Sequence, residues 1–223
     1  DSALVVLTAK ILLYSILLNE VCVVRDSDDI IEVLKKYSIR FFKSSKHYET
    51  GTDSISEFAN KFNCDLIINV QGDEPFINKS DLNLIIHNFK NDYNNEIEAI
   101  SLKTLIKNDN EINDPNNVKV ITDNNSNAIY FSRLPLPYNR YGNEIKYYKH
   151  VGIYAFRKKA LIKFSNLKKS KLEKAEMIEA IRFIENGMKI KILEVKNNYI
   201  GIDTIEDLSL IHISEPTRQA ERA

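Results

Sequence analysis

Apolar positions along the chain fall into short β-branched runs that alternate with amphipathic stretches. "VCVV" (21–24) is strand-like and gives way to polar "RDSDD". In "DDIIEVLKKY", Ile30, Ile31, Val33 and Leu34 recur at helical spacing, with Asp28 or Asp29 as cap. "IRFFKS" reads as a second strand. "TGTDSISEFANKF" opens on Thr and Asp and carries Ile55, Phe58, Ala59 and Phe62 at helical intervals. "DLIINV" is a third, wholly apolar strand, and "NKSDLNLIIHNFKND" a helix after a turn. Strand–helix–strand–helix in this order predicts a mostly parallel sheet covered on both faces.

Beyond residue 98 the pattern changes. "EAISLKTLI", "VKVITD", "AIYFSR" and "KHVGIYAFR" read as strands with short connections, and "ITDNNSNAIYF" as a hairpin turning at 124–127. "KLEKAEMIEAIRFIENG" reads as one long helix closed by Gly187, followed by the strand "KIKILEV" and by "GIDTIEDLSLI", a loop into a final helix. The first twenty residues are apolar but start on Asp1 and contain Lys10. That is marginal for a membrane span, and the basic start of a signal peptide is missing, so a buried helix or strand–helix piece is expected.

Composition narrows the function. The chain has 223 residues, with Lys+Arg and Asp+Glu balanced at 31 each. There is no global basic field for nucleic acid, so any anionic ligand must be held locally. Cys22 and Cys64 are far apart in sequence, outside any CxxC pattern, and suggest neither a disulfide framework nor a zinc site. A reduced, cytoplasmic setting is the expected one.

The candidate chemistry lies where the third strand ends, at "NVQGDEP". In open α/β sheets ligands bind outside the carboxyl ends of strands. Gly72 lets the backbone turn, and Asp73 and Glu74 stand where a ligand or metal would be; a solvated acidic turn is the alternative. Asp203 in "IGIDTIEDL" has a similar strand–helix setting, where it or Thr204 can equally be a helix cap. Two such carboxylates can share one Mg²⁺ with a substrate phosphate, which suits phosphoryl or nucleotidyl transfer. The glycine-rich loop of the P-loop kinases is missing. "DSDD" (26–29) offers a superficial metal motif, but its place before a helix favours a capping cluster. His47, His87 and His212 have no partner pattern.

Six blocks occur in order: "YETGTDSISEF", "IINVQGDEPFI", "DPNNVKVITDNNSNAIYFSRLPLPY", "YKHVGIYAFRKKAL", "LEKAEMIEAIRFIENGMKIKI" and "GIDTIEDL". Together they resemble the 3-deoxy-manno-octulosonate (Kdo) cytidylyltransferases, the CMP-Kdo synthetases, over roughly residues 21–210. The resemblance implies an α/β fold of the Rossmann-like, GT-A-like nucleotide-diphospho-sugar transferase type. Three layers, a mostly parallel central sheet and a smaller β-rich dimerisation lobe at about 115–157 are expected within one domain, 1–210, followed by an atypical tail, 211–223. It also implies Mg²⁺-dependent transfer of CMP from CTP to Kdo for lipopolysaccharide synthesis, by a homodimer.

By motif, Asp73 and Asp203 are the catalytic, Mg²⁺-holding pair. Thr50, Gly51, Thr52, Asp53 and Gln71 belong to the nucleotide site. Gln71, Arg133, His150, Tyr154 and Glu176 line the sugar site. Arg133 offers a fork for the Kdo carboxylate. His150 and Tyr154, four apart in a strand, share a face. Of Glu173, Glu176 and Glu179, one faces the sugar and the others are expected in solvent.

Three departures stand out. Family members open with a loop rich in Arg, Ser, Gly, Pro and Lys that wraps the triphosphate; here residues 1–20 contain no Arg, Gly or Pro, and Lys10 is their one basic residue. Ser54 stands where the nucleotide loop commonly has arginine, and Ala180 where the long helix usually has glutamine. The apolar start and the tail from His212 suggest a truncated or mis-assembled reading frame, with genuine divergence in a reduced genome as the alternative. A non-catalytic remnant of the family and a cytidylyltransferase for another acid sugar are therefore the competing expectations.

Overall fold

The computed structural model describes residues 2–72, 77–142, 144–197 and 199. The apolar start folds as one helix, α1 (Ser2–Leu13). Then come β1 (Val23–Arg25), α2 (Asp28–Lys36), β2 (Phe41–Lys43), α3 (Gly51–Ser56), β3 (Leu66–Val70), α4 (Lys79–Lys90), β4 (Ala99–Leu105), α5 (Asp109–Asn113), β5 (Lys119–Thr122) and β6 (Ala128–Ser132). The described part continues with β7 (Tyr148–Arg157), α6 (Lys158–Ser165), α7 (Lys171–Glu176), α8 (Ala180–Glu185) and β8 (Ile190–Val195).

A three-layer α/β arrangement follows from the alternation of side chains along the strands. Ala99, Tyr154, Phe156, Ile190 and Ile192 face a core closed by α6 and α8. Ile100, Leu102, Ile153, Ala155, Leu193 and Val195 face the opposite core, closed by α4. β4 is thus covered on both faces, and even its Ser101 and Thr104 are buried. On the α6–α8 side, Phe164 stacks on Phe183 at 4.2 Å and Phe183 on Phe156 at 5.5 Å.

The sheet is mixed rather than mostly parallel in its pairings. β3, β4 and β8 run one way, but β7 lies between β3 and β4 and runs against both. The physical reason is connectivity. β7 is ten residues long and returns from the β5–β6 hairpin, so it inserts antiparallel where a crossover helix would have given a parallel neighbour. The hairpin forms as expected: Asp123 Oδ1 accepts the N–H groups of Asn125 and Asn127, and Ser126 takes the left-handed conformation. β1 and β2 form a separate parallel pair joined by α2.

Three local expectations are corrected. Ser27 is the N-cap residue of α2, and Asp28 and Asp29 occupy its first turn, where carboxylates suit the positive helix end. The stretch after Gly51 breaks into α3 and a 3₁₀ turn at Ala59–Lys61. The single long helix expected at 171–187 is two short helices, α7 and α8, divided at Met177, whose φ is 55°. Among the described residues, no helix is long and apolar enough to cross a membrane.

Candidate active site

The turn leading into α3 is built around Thr50. Its hydroxyl accepts the Asp53 N–H at 3.2 Å, capping the helix, and donates to Asp53 Oδ2 at 2.8 Å. Gly51 lies against Gln71, the residue that follows β3. A Cβ on Gly51 would stand 2.6 Å from Gln71 Nε2, so glycine is what lets the amide approach the turn. Thr52 is fully buried and directs its hydroxyl and N–H onto the Glu179 carboxylate. Asn69 Nδ2 reaches the same hydroxyl at 3.5 Å.

Asp53 is gripped from the other side. Arg182 Nη1 and Nη2 donate to its two oxygens at 2.8 and 3.0 Å, while Arg182 Nε and Nη2 donate to Glu173 at 2.8 and 2.5 Å. Burial pushes the Asp53 carboxyl up, but Arg182 and Thr50 outweigh it and the net displacement is downward. Burial opposes the Arg182 charge, yet Asp53 and Glu173 hold it above the usual range. Glu179 is displaced upward by burial, against the pull of its threonine bonds.

A cleft of about 980 Å³ opens beside this turn, at the carboxyl ends of β1 and β3. Thr50, Gly51 and Gln71 line it, together with Arg25, Lys46 and His47. Val5 and Ala9 of α1 form an apolar wall. At Gly72 a Cβ would meet Arg25 Nη2 at 2.8 Å and Val5 Cγ2 at 2.9 Å, and Thr8 donates to the Gly72 carbonyl at 3.0 Å. Close approach, rather than a positive φ, is therefore what this glycine serves. The "DSDD" residues do not converge: Asp26 contacts His47 at 2.7 Å and Asp28 pairs with Lys43. Asp73 and Asp203 lie outside the described residues. Among the described residues, no group of three His, Cys, Asp or Glu side chains could hold a metal ion.

The expected sugar residues gather around β6 and β7. Ser132 and the Arg133 N–H donate to the Glu176 carboxylate at 3.0 and 2.9 Å. Arg133 Nε and Nη1 donate to the carbonyls of Glu176 and Pro115, which fixes the guanidinium and leaves Nη2. His150 and Tyr154 share a face, with rings 5.2 Å apart, and Phe131 meets the imidazole edge-on at 5.0 Å. His150 Nε2 is 2.8 Å from the Ser101 hydroxyl, whose proton goes to Ile153 O at 2.7 Å; Nε2–H is then the donor and Nδ1 is left as an acceptor. Burial pushes the His150 pKa down to about 3, so the ring is neutral.

The structure thus brings Thr50, Gly51, Thr52, Asp53 and Gln71 together, pairs Arg133 with Glu176, and pairs His150 with Tyr154. Glu179 links the groups, since it holds Thr52 and raises the Tyr154 hydroxyl pKa after burial itself. The expectation that two of the three glutamates face solvent is overturned: Glu173 and Glu179 are bonded inward, because the break at Met177 re-aims the chain. Sequence reasoning also passed over Arg182 and Arg25. A signal for Arg182 was present, since it follows Ile178 by four residues and so falls on the apolar stripe of the long helix the sequence suggests, where a lone charge needs a partner.

Comparisons with known proteins bear on the family and the fold. The family model described as Cytidylyltransferase matches residues 1–190. A 3-deoxy-manno-octulosonate cytidylyltransferase of Christiangramia forsetii is 46% identical over 193 residues, covering 86% of this chain and 78% of the relative. That of Flavobacterium johnsoniae is 43% identical over 193 residues, covering 86% and 79%. A solved structure described as CMP:2-keto-3-deoxy-manno-octonic acid synthetase complexed with CTP superposes with a TM-score of 0.87 at 30% identity, covering 96% of this chain and 88% of that one. With a family model over most of the chain and relatives at 46% and 43% identity, the chain belongs to the 3-deoxy-manno-octulosonate cytidylyltransferase family.

Proposed function

We propose that this chain transfers CMP from CTP to Kdo, releasing pyrophosphate. The observation that carries the reading is the turn at 50–53, locked against Gln71 at the end of β3 and opening on the cleft. In the reaction the anomeric hydroxyl oxygen of Kdo forms a bond to the α-phosphorus of CTP, the bond from that phosphorus to the bridging oxygen breaks, pyrophosphate leaves, and the hydroxyl proton passes to solvent. Thr50, Gly51 and Gln71 present polar edges for the nucleotide. Arg133 Nη2, the Glu176 carboxylate, the Tyr154 hydroxyl and His150 Nδ1 supply donors and acceptors for an acidic polyol. A neutral imidazole is suited to accepting from a hydroxyl without attracting a second anion.

Mg²⁺ belongs to the proposal through the chemistry of its donor set. Asp73 and Asp203 are hard oxygen ligands, and the ion would offset triphosphate charge. Homodimerisation is also proposed. Ile129, Leu134, Tyr138 and Tyr141 are large exposed side chains in the region of β6 and the connection to β7, and they are the natural contact surface.

The test is pyrophosphate release from CTP with Mg²⁺, with and without Kdo. Kdo-dependent release is the expected result; none from folded protein removes the enzyme reading. A second reading, a weakly binding remnant, is favoured by one feature: α1 presents Val5 and Ala9 to the cleft, so the cations named along it, Arg25 and Lys46, come from other elements. Calorimetric titration with CTP separates the two, since millimolar or undetectable affinity in a folded protein supports the remnant. Replacing Kdo by other acid sugars tests the sugar.

A further inference from the structure

We propose that Arg182 is the positioning residue of the nucleotide turn, fixing Thr50–Asp53 to the helix pair that also carries Glu176. The proposal rests on the reading of that turn as the nucleotide site.

Arg182 is only 2% exposed, and its guanidinium grips a carboxylate on either side: Glu173 through Nε and Nη2, Asp53 through Nη1 and Nη2. Phe164 covers one face of the group at 4.2 Å. The planar fork therefore allows Asp53 a single orientation. Asp53 in turn accepts the Thr50 hydroxyl, and Thr50 caps α3 through the Asp53 N–H. Directionality passes from α8 to the residue that opens the turn, while Thr50 and Gly51 face the cleft.

A stabilising role alone does not account for this arrangement. Replacing a buried ion cluster by apolar side chains is often neutral or favourable, so stability is weak ground for keeping this one, and the role assigned to it here is geometric. The far anchor supports the same reading. Glu173 lies on α7, one turn before Glu176, whose carboxylate binds Ser132 and the Arg133 N–H. One short helix therefore sets the nucleotide turn through Glu173–Arg182–Asp53 and the sugar residues through Glu176.

The experiment compares R182Q, R182K and D53N with the parent protein. Hydrogen–deuterium exchange is followed over residues 48–56 and over β4 and β7, alongside KM for CTP and kcat in the pyrophosphate assay. Exchange over the turn is expected to quicken on the order of tenfold in R182Q and D53N, with the strands unchanged. KM for CTP should rise on the order of ten- to a hundredfold, with a smaller change in kcat. R182K, which keeps the charge but loses the fork, should fall between. Unchanged turn exchange and KM in folded R182Q and D53N overturn the proposal, and so does a uniform quickening that includes β4 and β7 with KM unmoved. If R182Q does not fold, D53N, which leaves the Arg182–Glu173 pair in place, decides. If the parent releases no pyrophosphate, the functional reading falls, while the exchange comparison still decides whether Arg182 positions the turn.

Discussion

His150 and Glu179 are two titratable groups whose folded environments move them in opposite senses, and their pH signatures can be separated. Burial takes His150 down to about 3 from an ordinary value of 6.5. As pH falls below 6.5 the unfolded chain binds a proton that the folded chain refuses, so stability declines with acidification from 6.5 toward 3. Glu179 is raised by burial, so the folded chain takes a proton at a higher pH than the unfolded one; its contribution is present below 4.5 and lost as pH rises through the folded value. Denaturant titrations between pH 6.5 and 4.5 should therefore find that H150Q removes a decline of about 2 kcal/mol. E179Q should remove an opposing rise and steepen the decline. A parent profile unaltered by either variant would contradict both assignments. At Gly51 the forecast concerns binding more than folding. In G51A the new methyl pushes on the far end of a flexible glutamine, so the melting temperature should barely move, while CTP affinity measured by calorimetry drops as the Gln71 amide leaves the turn.

At the scale of elements, the division between α7 and α8 matters most. Met177 sits in the left-handed region, 69% exposed, between a helix with a capping box at Ser170 and one that begins at Ala180. A left-handed L-residue costs roughly 1–2 kcal/mol, and glycine there forfeits about 0.5–1 through the entropy of the unfolded chain. M177G should accordingly gain about 0.5–1 kcal/mol in chemical denaturation. In an unbroken helix the same change would lose about 1 kcal/mol, so the sign alone discriminates. This break was not legible beforehand, because apolar residues continue at helical spacing through Met177 and no Gly or Pro marks it. The strands were legible, since β-branched runs announce extended chain. Their directions were not, because pairing is decided by connection geometry, and β7 shares its apolar pattern with the parallel strands around it. The turn at 50–53 could be found as a motif, but its anchor could not: Arg182 lies 129 residues from Asp53 and meets it only through tertiary packing.

For the whole molecule the question is how two structural units are held around one cleft. The β1–β2 pair shares no strand with the six-stranded sheet among the described residues, and α1 bridges them. Val5, Val6 and Ala9 pack with Leu34 and Ile39 beside the pair, while Ile11 and Leu12 lean on the core under α4. The bridge crosses the end of β3 at Gly72, where Thr8 bonds the carbonyl and Val5 stands where a Cβ would need room. A methyl at residue 72 meets one group that can swing away, the Arg25 guanidinium, and one fixed to a helix, Val5. G72A should therefore displace α1 rather than be absorbed locally, at a cost typical of overpacking, about 1–3 kcal/mol. Because α1 is shared by both units, the expected signature is faster hydrogen exchange in α1 together with β1 and α2, while β4 and β7 keep their protection. The double variant V5A/G72A should recover much of the loss, since it removes the atom that the new methyl strikes. A G72A protein with parental stability and exchange would mean that α1 does not clasp the strand end, and the cleft would then be bounded on that side by something other than this helix.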